Sequence, residues 1–306
     1  AFIMKEKSIS LLELRQRNTR KVAALFLAPV AILMLVYVFY PIVDTFITSG
    51  YQWNGISSAK KFIGLGNWTK LLKDSNFWIA FKNNVIIMIL SIVIQIPIGL
   101  ALATFLDFGG KKLTIFKIIW FIPLLMSSVA IGFLFTYALA TNGGIVSTIA
   151  GWFGGGNVDL LGNPKTALFT VILIICWQFT PFYMVYFMAA FTNIPYDVFE
   201  AARIDGLSEY GIWAKIMLPL SKPAIATLCI TSFTFEWNDF MGPLIYISTT
   251  SKKTIQLLLR MFNTQYSSNY AQIMAAATVA LIPVLILFAF LQRYFVEGIA
   301  SSGIKG

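Results

Sequence analysis

Long apolar stretches alternate with short polar ones from end to end of this 306-residue chain. Six apolar runs stand out, at 22–47, 79–106, 113–139, 166–192, 221–246 and 270–295. Each is long enough to cross a hydrocarbon layer about 30 Å thick, for which about 20 helical residues suffice. Backbone amides in lipid must be satisfied within their own segment, so runs of this length predict helices. The expectation is an all-α, polytopic membrane protein with six transmembrane helices. No fixed-period repeat or heptad pattern divides the runs. They predict one membrane domain over 22–297, a basic lead-in at 1–21 and a short tail at 298–306.

Composition agrees with the pattern. Hydrophobic residues make up 58% of the chain and charged ones 12%, half of the roughly 25% charge of a soluble domain. Cys176 and Cys229 both fall inside apolar runs, which predicts buried small hydrophobes rather than a disulfide framework. There is no histidine. The commonest general base and metal ligand is therefore missing, and no catalytic or metal-ligating set emerges.

The net charge of +10 is explained by topology rather than by nucleic acid. Lys5, Lys7, Arg15, Arg17, Arg20 and Lys21 precede the first run and hold the amino terminus in the cytoplasm. Six crossings then return the carboxyl terminus to the same side. The first run is longer than a signal-peptide core and lacks a small-residue cleavage pattern, so an uncleaved anchor is expected. Ile9 and Leu12 give the lead-in an amphipathic character suited to the inner interface. Trp53, Trp68 and Trp78 mark an external loop at headgroup level. The glycine-rich segment 141–165, containing GIVSTIAGWFGGG, reads as a short interfacial helix within a second external loop.

One polar segment differs from the rest. Over 195–219, Pro195 opens a helical turn, and Asp197 and Glu200 lie near its positive end. Gly206 is placed for a left-handed stop, and Ser208 for capping a second helix that runs to Leu218 before Pro219 ends it. Two short helices meeting at an angle on the inner face form a shape that fits a cleft in a partner and follows its movement.

In these residues the chain resembles the permeases of binding-protein-dependent ABC importers. Glu200, Ala201, Ala202, Asp205 and Gly206, followed by Ile216, Leu218 and Pro219, match their EAA motif. The resemblance extends over roughly 20–306 and is to carbohydrate permeases similar to those of maltose transport. YPIVDTFITSG, FIGLGNW and IWFIPLLMSSVAIGFLF resemble the larger subunit of that heterodimer, whereas WNDFMGPLIY and QRYFVEGIASSGIKG resemble the smaller. The resemblance implies a type I ABC importer permease fold, residence in a bacterial or archaeal plasma membrane, and alternating access. It also implies partners: a second permease subunit, with a heterodimer favoured, a dimer of ATP-binding cassette ATPases, an extracytoplasmic solute-binding protein, a carbohydrate and membrane lipid. Glu200 is implied to pair with a basic residue of the ATPase. No phosphate loop of the G-x-x-x-x-G-K-[ST] kind occurs here, so ATP and Mg are expected on the partner and no cofactor on this chain.

A carboxylate inside a span costs about 2.5–3.5 kcal/mol on insertion scales, so such groups face a cavity or a partner. The fifth run holds Glu236 and Asp239, and Ser232, Phe235, Glu236 and Asp239 share an arc of about 100°. Carboxylates and hydroxyls suit sugar hydroxyls, and an aromatic ring suits the C–H face. On the fourth run Gln178, Phe179 and Phe182 share an arc beside Pro181, whose missing N–H frees the Trp177 carbonyl. The resemblance marks this neighbourhood as lining the sugar path, together with Ser128 after Pro123. Packing, or a polar clamp between permease subunits, is the alternative for these residues. Asn83, Asn84 and Gln95 read as bridges between helices.

The expected function is that of a membrane-spanning subunit of an ATP-driven sugar or oligosaccharide importer. An ABC permease for a non-sugar solute, and an ion-coupled transporter using Glu236 or Asp239, are the competing readings. An integral membrane enzyme is the least favoured reading, for want of a histidine, a metal-ligand cluster and a nucleophile with its base.

Overall fold

The computed structural model describes residues 19–247, 249–265 and 270–303; the expected lead-in up to Asn18 and the final three residues lie outside them. The described residues form helices joined by short loops, plus one two-stranded ribbon. They divide into two compact units, one of residues up to Thr69 with 270–278, the other of the remainder.

The first unit opens with α1, Thr19–Thr48, a helix of 30 residues whose apolar stretch is exposed on every side. Its turn Leu35–Phe39 is π-helical, with the Tyr40 amide donating to the Leu35 carbonyl. Pro41 follows. A proline ring clashes with the carbonyl four residues back, and the wider turn makes room for it. After α1 the strands β1 (Tyr51–Gln52) and β2 (Lys61–Phe62) pair antiparallel, with Tyr51 opposite Phe62. Asn67 Nδ2 donates to the carbonyls of Ser49 and Tyr51 at 2.8 and 2.7 Å. The ammonium of Lys60 sits 3.9 Å above the Trp53 ring.

After α2 (Gly66–Lys73), the second unit is built around two long helices, α3 (Ser75–Gly109) and α7 (Ala167–Thr192). Asp74 caps α3 by accepting from the Asn76 amide at 2.8 Å, and a left-handed Gly110 stops it. These two helices form the largest helix–helix contact. Gly99 permits it: a Cβ there would lie 2.5 Å from that of Tyr183. One apolar cluster joins Ile87, Val171, Ile175 and Tyr246; a second joins Ala103, Met184, Phe187, Ile212 and Leu228.

Between them the third apolar run is not one helix. It is α4 (Thr114–Leu125) and α5 (Ser128–Ala138), meeting at 97°. Pro123 weakens the end of α4, and Ser127 restarts the chain by accepting from the Val129 amide at 3.3 Å. After the short α6 (Ile145–Trp152), α7 carries the chain about 39 Å to the opposite face, at 1.5 Å per residue over its 26 residues. Pro181 does not interrupt it.

The polar hairpin follows as α8 (Tyr196–Ile204) and α9 (Glu209–Leu220). Pro219 does not end α9, contrary to the sequence expectation. The turn Trp213–Met217 is π-helical, as before Pro41, and the helix continues to Leu220. The chain then bends by 59° at Ser221, whose hydroxyl donates to the Met217 carbonyl at 2.7 Å. α10 (Lys222–Asn238) rises from the bend and ends eight residues before the expected limit at Tyr246; a separate α11 (Met241–Tyr246) completes that run. α12 (Ile255–Gln265) leads towards α13, Tyr270–Gly303, which stays helical beyond the expected boundary at 295. Among the described residues four helices are long and apolar enough to cross a membrane, and counting each bent pair as one span brings the total to six.

Candidate functional site

Two regions concentrate polar chemistry in an otherwise apolar molecule. The first is the hairpin of α8 and α9. Pro195 caps α8, and Asp197 lies in its first turn. Gly206 has φ of +79°, a conformation that costs other L-residues roughly 1–2 kcal/mol. The amides of Gly206 and Leu207 donate back to the carbonyls of Arg203 and Ala202 at 3.1 and 3.0 Å, satisfying the end of the helix. Ser208 then caps α9 by accepting from the Gly211 amide at 3.2 Å. Arg203 Nε donates to Glu209 Oε1 at 3.1 Å across the turn, and this contact raises the guanidinium's already high pKa.

The motif residues divide by exposure. Ala202 is buried among Phe187, Phe191 and Leu106, fixing α8 to the helices above it. Glu200, Ala201, Asp205 and Gly206 face outward. Beside them Tyr196, Ile204 and Tyr210 are also exposed, Ile204 to 80%. This apolar patch on a polar loop has no cover among the described residues. A further tie escaped the sequence reading: Trp213 Nε1 donates to Thr104 Oγ1 at 2.9 Å, fastening α9 to α3. The only hint lay in a tryptophan set among charged residues.

The second region is a cavity of about 310 Å³ between α4, α7 and α10. Leu124, Phe179, Phe182, Tyr183, Phe235, Glu236 and Asp239 line it. Phe182 and Phe235 meet edge to face with centroids 6.3 Å apart. Glu236 is 5% exposed; its Oε1 accepts from Gln95 Nε2 at 3.2 Å, and its Oε2 has no hydrogen-bond partner. Asp239 is not on the helix but at its C-cap, where Oδ1 accepts from the Gly242 amide at 3.3 Å. The change of backbone at Asp239 still leaves both carboxyls on the cavity wall.

Five of the eight residues expected along the path therefore meet there. The other three do not line the cavity. Gln178 Nε2 donates to Ser128 Oγ at 3.3 Å, a bridge between α7 and α5. Ser232 is fully buried. Leu124 and Tyr183 are lining residues that periodicity did not single out, because nothing in the sequence reports which turn of α4 survives next to Pro123. Asn83 and Asn84 do bridge: Asn83 Nδ2 donates to the Ser251 and Lys253 carbonyls, and Asn84 Nδ2 to that of Trp237. A larger groove of about 630 Å³, lined by Phe81, Phe233, Pro283 and Phe290 among others, has purely apolar walls and nothing to recognise a polar solute. Among the described residues no three His, Cys, Asp or Glu gather into a metal site.

The family model for the inner membrane component of binding-protein-dependent transport systems matches residues 95–301. The lactose transport system permease protein LacF of Rhizobium radiobacter is 31% identical over 279 residues, covering 88% of this chain and 92% of its own. The probable ABC transporter permease protein YurN of Bacillus subtilis (strain 168) is 29% identical over 283 residues, 90% of this chain and 96% of its own. Among solved structures, a chain of the bacterial alginate ABC transporter, in complex with alginate pentasaccharide-bound periplasmic protein, superposes with a TM-score of 0.78 at 20% identity. That match covers 91% of this chain and 95% of the other, and the two share a fold.

Proposed function

Because the chain belongs to the inner membrane components of binding-protein-dependent transport systems, we propose that it is one permease subunit of an ATP-driven importer for a neutral sugar or oligosaccharide. The cavity carries this reading: aromatic walls for the C–H faces of a sugar ring, two carboxyls for its hydroxyls, and no basic side chain among its lining residues. Permeases named for lactose and for arabinooligosaccharides are among the relatives. An acidic sugar would meet two carboxyls and no cation, so uronates are disfavoured.

In this reading the exposed face of the hairpin, with Glu200 at its edge, seats in a groove of a separate ATPase subunit that binds the ATP and Mg. Ala202 and Trp213 pass the motion of that subunit to the helices above, and the Ser221 bend delivers it to α10, which bears Phe235 and Glu236. A second permease completes the pore, both termini lie in the cytoplasm, and an extracytoplasmic receptor delivers the sugar on the face away from the hairpin.

The decisive experiment is uptake of labelled neutral oligosaccharides into proteoliposomes containing the chain with its co-expressed neighbours. Import is expected to require ATP inside and the receptor outside. Import that instead follows a sodium or proton gradient and ignores ATP would overturn the proposal.

A further inference from the structure

The loop between α5 and α7 contributes no lining residue to the cavity, yet it is built with care. Ser147 on α6 is buried; its hydroxyl donates to the Val158 carbonyl at 3.3 Å and accepts from the Val158 amide at 3.1 Å. The Gly144 amide donates to the Ala140 carbonyl at 3.2 Å, two residues beyond the end of α5. At the far end of the loop Thr166 Oγ1 donates to the Leu160 carbonyl at 2.9 Å, at the start of α7. The loop is thereby folded back onto the end of α5 and the start of α7, which holds α6 beside both.

On the side of α6 away from Ser147 nothing among the described residues covers it. At 100° per residue, Ile145, Ile149, Trp152 and the capping Phe153 lie within about 100° of arc, and Ser147 lies opposite. Their exposures are 62, 43, 77 and 86%. No residue between Lys117 and Asp159 is charged, so the stretch is free of the groups that would draw it into water. The helices on either side of the loop show the same exposed apolar surface, at Phe133 and Tyr137 on α5 and at Phe169 and Leu173 on α7.

We propose that α6 is a membrane foot: its Ile145, Ile149, Trp152 and Phe153 face lies in the headgroup and upper acyl region of the phospholipid leaflet opposite the hairpin. Tryptophan favours that level because its ring is apolar and its N–H finds water or headgroup oxygens. The foot gives the cavity walls a fixed end. Phe179 and Phe182 lie on α7, whose first turn follows directly from this loop, so a push from the hairpin at the other end of α7 tilts the helix about an anchored point instead of sliding it along the membrane normal.

The test uses the intact assembly in lipid nanodiscs, with Cys176 and Cys229 replaced by Ala and an environment-sensitive fluorophore placed at Ile149→Cys, Trp152→Cys or, as a control, at the exposed tip Gly156→Cys, where a side chain meets open space. Retained sugar uptake by each labelled assembly, reconstituted in parallel into proteoliposomes, shows that it is folded. The first two labels are expected to emit to the blue of the control, to lose most of their intensity to phospholipids with a nitroxide near the headgroup, and to be nearly untouched by aqueous iodide. The control shows the reverse. Quenching by iodide as strong as at the control position would mean a solvent-facing helix and would overturn the proposal. Shielding from both quenchers would mean that a protein partner covers the face, and would overturn it equally.

Discussion

Gln95 Nε2 and Glu236 Oε1 meet 3.2 Å apart in the sealed interface between α3 and α10, with the second carboxyl oxygen unpaired beside them. The amide holds this carboxyl from α3. Losing one partner of a buried pair costs about 1–3 kcal/mol. Gln95→Leu is therefore expected to raise the apparent KM for sugar uptake about tenfold, since 1.4 kcal/mol is a factor of ten, with a smaller effect on the maximal rate. In a Glu236→Gln background the same substitution should cost much less. Equal effects in both backgrounds would show that Gln95 does not act through Glu236.

Phe182 and Phe235 face each other across the cavity at 6.3 Å. Aromatic contacts of this kind are worth about 0.5–1.5 kcal/mol beyond buried area. Phe182→Ala should weaken uptake of a neutral oligosaccharide several-fold in KM, and Phe182→Tyr should restore most of it. Measured affinities that ignore both changes would remove the ring from the sugar path.

Glu200 stands exposed on the hairpin, whereas Ala202 two residues later is buried. Glu200→Lys is expected to leave the chain's own folding intact while abolishing co-purification with the ATPase and ATP-dependent uptake. Ala202→Leu, by contrast, should lower the amount of folded chain. Membrane levels and pull-down of the ATPase separate the two, and a Glu200→Lys protein that still binds the ATPase and transports normally would refute the assignment.

Gly99 leaves 2.5 Å between a hypothetical Cβ and Tyr183. Overpacking a tight interior costs about 1–3 kcal/mol. Gly99→Ala should already lower the thermal midpoint of the purified protein, because its Cβ would meet Tyr183 Cβ and the Met184 backbone, and Gly99→Val should lower it further. An unchanged midpoint would mean that α3 and α7 are not in close contact there.

The six apolar runs, the hairpin and its Gly206 turn were legible because each depends on local chemistry: hydrophobic length, a cap, a residue free to take positive φ. The 97° break after Leu125 was not, since proline within a helix leaves several outcomes open. Pro181 passes through α7 unbroken, Pro41 and Pro219 are absorbed by π-helical turns, and Pro123 precedes a right-angled turn. Which outcome occurs depends on the neighbours against which each helix packs. The cavity was half legible for the same reason. Phe235 and Glu236 follow from the period of one helix, whereas Leu124 and Tyr183 join them only through the crossing of others.

The shortness of α10 bears on how the protein is made. Its 17 residues rise only about 25 Å, less than a bilayer's hydrocarbon core of about 30 Å. The stretch around Asp239, where the helix has ended, finds its partners within the chain: the Asn84 and Gln256 amides donate to the Trp237 carbonyl, and the Gly242 amide to Asp239 Oδ1. Until α3 and α12 have packed against that corner, a newly inserted copy carries a costly defect there. Copies truncated before α12 should consequently fail to settle and be cleared by membrane proteases.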